Sequence, residues 1–119
     1  MIKGAVRFLL ALLLGVAVSA DTPPPGIRGE IVDSYCLAVA GIRGAAHTAC
    51  AIRCMKNGVP PVFMEAGTRR IYVLMANQDA RALPPELIAL AGRDITIDGD
   101  VIAKGGTNFL KVRSFRATR

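Results

Sequence analysis

The segment HTACAIRC, residues 47–54, holds the only histidine of the chain, His47, and two of its three cysteines, Cys50 and Cys54. The third, Cys36, stands upstream in VDSYC. Three thiols and one imidazole form a donor set of the kind that holds Zn²⁺, and thiolates also select Cu(I). If residues 47–54 are helical, one residue turns about 100°, and His47, Cys50 and Cys54 share an arc of about 80°. Arg53 and Lys56 then turn toward water. Met55 lies about 100° round from Cys54 and is a poor ligand candidate. His47 and Cys54 stand seven residues apart, a rise of about 10.5 Å. An imidazole and a thiolate span that gap more easily if His47 sits on a frayed first turn.

Other uses of these residues are weighed against the metal. Cysteine is also a small buried hydrophobe, but His47 packed beside three thiols would need a hydrogen-bond partner. Side chains four apart on a helix hold their Cβ atoms about 5–6 Å apart, whereas a disulfide wants about 3.5–4.5 Å. A Cys50–Cys54 bridge would therefore strain the helix, and Cys36 is the better partner for either thiol. Such a bridge would staple the helix to the first strand and leave one thiol spare beside His47. A thiol-redox protein is a related alternative, although the usual C-x-x-C at a helix start is missing. C-x-x-C-H for covalent haem is missing too. A Cys-His nucleophile needs a third group to hold the base and an oxyanion site. Asp33 and Asn57 are uncertain orienters, so no catalytic residue is assigned.

These side chains must be positioned by a small domain, and its redox setting follows from the chain's start. Lys3 and Arg7 precede an apolar and glycine run of 11 residues, Phe8 to Val18, and Val18-Ser19-Ala20 offers a cleavage site. That layout reads as a signal peptide over residues 1–20, since the run is too short for a permanent span. A Pro-rich linker, 21–26, and one domain, 27–116, follow. The expected location is exported, periplasmic or secreted, with membrane contact only through an uncleaved leader.

Removing Lys3 and Arg7 from the 15 basic residues takes the net charge from +6 to +4. The remaining cations are scattered, and few aromatics accompany them, so no nucleic-acid partner is expected. Solvated basic faces, or mild attraction to anionic lipid surfaces, account for the charge. A periplasmic or membrane-associated protein is the expected partner.

The pattern along the chain is mainly β with short helices. Strands are expected over 27–36, 62–66, 70–76, 94–103 and 108–115, with helices over 45–57 and 79–91. Gly58 stands where a helix C-terminus wants glycine, and AGTR between the second and third strands is a hairpin signal. IRGEIVD and ITIDGDVI each carry a glycine inside a strand, as a coiled barrel corner requires. Five strands with a helix before the last pair predict a small OB-like Greek-key barrel, with an open α+β sandwich as the alternative.

The chain resembles small exported bacterial proteins with an OB-like barrel and the pattern D-x-x-C followed by G-x-x-G-x-x-H-x-x-C-A-x-x-C. Here those positions are Asp33 and Cys36, then Gly41, Gly44, His47, Cys50, Ala51 and Cys54. The resemblance runs from about Gly26 to Phe115. It implies an architecture and a location, but no reaction.

Overall fold

The computed structural model of the chain describes residues 26–118. The leader, 1–20, and all of the Pro-rich segment except Gly26 lie outside the described residues. Five strands, β1 (Ile27–Asp33), β2 (Pro61–Glu65), β3 (Ile71–Met75), β4 (Ile95–Lys104) and β5 (Thr107–Ala117), close on one another in the order β1-β2-β3-β5-β4. All neighbours are antiparallel except β3 and β5, which run parallel with Leu74 opposite Leu110. The sheet closes on itself because β1 meets both β2 and, over Ile27–Gly29, β4.

The side chains sharing the inward face make the core. Ile31, Phe63, Tyr72, Ile95, Ile97 and Leu110 are almost wholly buried and form one cluster. Phe63 and Tyr72 pair across β2 and β3 with ring centroids 6.4 Å apart. The two strand glycines sit where chains cross closely. A Cβ at Gly29 would lie 2.1 Å from the Met64 carbonyl oxygen, and one at Gly99 2.3 Å from that of Lys111. Gly99 also marks the register shift in the β4–β5 pair, whereas Gly29 shows the close approach in a regular register.

Two expectations are corrected. Residues 34–36 do not continue the first strand: β1 ends at Asp33, and Ser34–Ala40 is a helix, α1. Asp33 has extended backbone and its side chain accepts the Cys36 N–H, while Gly41 ends the helix with φ 66°. This N-cap supplies a local bond that further strand pairing would have had to replace. The second correction falls on 79–91, where only Pro85–Ile88 is helical (α3). Pro84 has extended backbone before it, and Pro85 likewise disfavours helical backbone in the residue that it follows.

The expected helix over 45–57 divides into a 3₁₀ turn, Ala45–His47, and α2, Thr48–Lys56. Ala51 of α2 joins the core cluster, with Ile52 and Met55 packed against it. Asp33 continues the alternating row of Ile27, Gly29 and Ile31 and is buried at the end of β1. None of the described helices is long and apolar enough to cross a membrane.

Candidate metal centre

Three polar tethers bind the segment between β1 and β2 to the ring. Glu30, nearly buried on β1, pairs with Arg43 and accepts the Gly44 N–H at 3.0 Å. The Thr48 hydroxyl donates to the Ala91 carbonyl at 2.7 Å, fixing the start of α2. Asp33 supplies the third tether, and it organises the site.

Asp33 is fully buried and uses both carboxylate oxygens. Oδ1 accepts the Cys36 N–H at 2.8 Å, and Oδ2 lies 2.9 Å from His47 Nε2. Burial alone would raise its pKa, but hydrogen bonds from the Cys36 backbone, His47 and the Cys36 thiol outweigh it and hold the carboxyl below its usual range. One side chain thus caps α1, which carries Cys36, and fixes the imidazole at the start of α2. With Nε2 turned to the carboxylate, Nδ1 is the nitrogen left for a ligand.

The thiols gather around this pair. The Cys36 sulfur, a His47 ring nitrogen and the Cys50 sulfur lie within 4.8 Å of one another. So do an Asp33 oxygen, the Cys36 sulfur and the Cys54 sulfur. The two trios share Cys36. All three thiols are free and partly buried, and none belongs to the core cluster, which argues against simple packing. Cys36, Cys50, Cys54 and His47 are therefore brought together with Asp33 as a candidate site for a metal ion.

The site's charge is set by its own members. The hydrogen bond to Asp33, followed by burial, pushes the Cys36 thiol up to about 11. Burial, and then the neighbouring Cys50 sulfur, raise Cys54 as well. A carboxylate beside closely spaced sulfurs opposes further negative charge, which a bound cation would relieve. Arg53, expected to point away, reaches back so that Nη2 lies 3.5 Å from the Cys50 sulfur. Met55 packs against the core instead, as its angle on the helix requires.

Sequence reasoning found the four ligand candidates but left Asp33 as an uncertain orienter. The signal was D-x-x-C itself, an N-cap residue three positions before the N–H that it binds. No family model, curated protein or solved structure matches the chain, so the site is argued from its own geometry.

Proposed function

We propose that this chain is an exported protein that binds one thiophilic ion, copper or zinc, through Cys36, Cys50, Cys54 and His47. The observation that carries this reading is the closeness of the Cys36 sulfur to a His47 nitrogen and to both other sulfurs. Tetrahedral zinc with sulfur and nitrogen ligands needs donor atoms about 3.4–3.8 Å apart, and Cys36, common to both trios, is the ligand about which the other donors would close on an ion. Three thiolates alone suit Cu(I). Asp33 is assigned the outer position: it holds Nε2 of His47, which would leave Nδ1 to an ion.

The strand order and its one parallel pair support an OB-type barrel. Its oligonucleotide-binding role is not assigned, because Arg113 and Arg116 are paired with Asp100 and Asp98 rather than left for phosphates. A role beside metal-handling or redox complexes in the periplasm, with a membrane-associated protein as partner, follows from the exported reading.

The second reading is a disulfide staple. It is favoured by one observation, that Cys36 lies within 4.8 Å of a sulfur on either side. Both readings are tested by measuring metal content and free thiols in protein taken directly from its native compartment. One copper or zinc ion per chain is expected, lost on Cys50→Ser or Cys54→Ser and weakened by His47→Ala. One disulfide, no metal and no uptake after gentle reduction would replace the metal centre with a stapled binding module.

A further inference from the structure

The face of α2 turned away from the thiols lines a groove. On a helix that turns about 100° per residue, Ile52, Met55 and Lys56 fall on the side away from Cys50 and Cys54. Ile52 and Met55 pack against the core and, with Lys56, line a cavity of about 760 Å³. Leu74 of β3, itself a core residue, and Leu83 and Ile88 from the segment around α3 continue the lining.

The chemistry of this groove is one-sided. Apart from Lys56, every lining residue is Ala, Pro, Leu, Ile or Met. No carboxylate lines it, Glu86 of α3 included. Lys56 forms no ion pair among the described residues. Small-molecule sites of roughly 300–1,000 Å³ combine apolar walls with a few placed polar groups, and this groove offers one such group, a cation. That restricts the occupant. A sugar or nucleotide would bring many polar groups to a single side-chain donor and leave the rest unpaired at a cost. A peptide could not add as a strand here, because β3 is already paired on both sides, to β2 and β5. An alkyl chain asks only for apolar contact, and one anionic head matches one ammonium.

We propose that this groove binds a free long-chain carboxylate, its alkyl chain against Leu74, Ile52, Met55, Leu83 and Ile88 and its carboxylate at Lys56. None of these residues is a metal-ligand candidate, so the proposal stands whether or not a metal binds.

Protein taken from its native compartment and stripped of lipid is titrated with dodecanoate, below its micelle concentration, by calorimetry. One molecule per chain is expected. Decanoate, two methylenes shorter, should bind about tenfold more weakly, and dodecyltrimethylammonium should bind more weakly than dodecanoate. Lys56→Gln should weaken dodecanoate about twofold to fivefold, the range of an exposed ion pair, and leave dodecanol unchanged. Ala89 is exposed and lines the groove, so Ala89→Trp should fill it and abolish binding without entering the core. If that variant does not fold, the Met55 methyl, labelled with carbon-13 in the unaltered chain, reports instead. Its resonance should shift with dodecanoate while that of Met64, buried and outside the groove, stays in place. Binding that ignores head-group charge and Lys56→Gln, or that leaves Met55 unshifted, overturns the proposal. So does uptake of phosphatidylcholine vesicles without uptake of free dodecanoate, which would give the groove to a bilayer lipid. A dimer broken by Ala89→Trp and indifferent to dodecanoate would overturn it too, in favour of a second copy of the chain.

Discussion

Asp33 is the residue on which the thiol cluster turns. Its two oxygens serve two elements, capping α1 and holding the His47 ring. Asp33→Asn keeps an N-cap acceptor but loses the charge that faces His47, so the fold should suffer little from the cap itself. The imidazole, freed to rotate, should then cost metal affinity about 10–100-fold, as loss of an outer partner of a metal-bound His typically does. Competition with a chelator of known strength measures this, and unchanged affinity would remove Asp33 from the site. The lowered pKa also has a stability consequence. The stabilisation it brings is present above the ordinary carboxylate value and is lost as pH falls through the lowered one. Asp33→Asn should accordingly flatten acid unfolding of the apo protein, followed by circular dichroism.

At the scale of elements, what was legible depended on whether a signal was local. The Cys50, Cys54 and His47 face could be read because helical periodicity is local, and the 3₁₀ turn at His47 is the frayed first turn that the span required. The strand glycines were legible for the same reason. Helix α1 was not, because IRGEI alternates up to Ile31 and Tyr35 and Val39 favour strands as much as helices. Its deciding feature is one hydrogen bond from Cys36 to Asp33, and nothing in residue type alone ranks that above continued pairing. The helix over 79–91 was overestimated because only one turn survives the prolines. Arg53's reach toward Cys50 is a rotamer choice, invisible to periodicity. Gly29 offers a sharp test of the ring. Gly29→Ala drives a Cβ into the Met64 backbone, where no flexible side chain can yield. It should destabilise the protein by about 2 kcal/mol or more, seen as a lower urea midpoint with unchanged slope. A neutral result would mean that β1 and β2 do not cross so closely.

Over the whole molecule, the ring and the thiol-bearing segment are held by different means, and a metal would join them. The ring has its own apolar core, whereas α1 contributes nothing buried and residues 34–60 depend on Glu30, Asp33, Thr48 and the core contacts of α2. An ion held by Cys36, His47, Cys50 and Cys54 would tie α1 to α2 and so couple the segment to the ring. At a free concentration 100 times its dissociation constant, such an ion adds about 2.7 kcal/mol, which for a domain this size raises Tm by about 10 °C or more. The pH dependence has a definite sign. The folded state holds the Cys36 proton more tightly than the unfolded chain, up to about 11 against 9.0. The resulting stability of the apo protein is present below pH 9 and is lost as pH rises toward 11. Binding a metal displaces that proton, so affinity should grow with pH over the same range and below it. The gap in Tm between metal-loaded and metal-free protein should therefore widen from pH 6 to pH 8 by calorimetry, and Cys36→Ser, which removes the member common to both trios, should abolish it. A gap that stays constant with pH, or survives Cys36→Ser, would place the ion elsewhere on the protein.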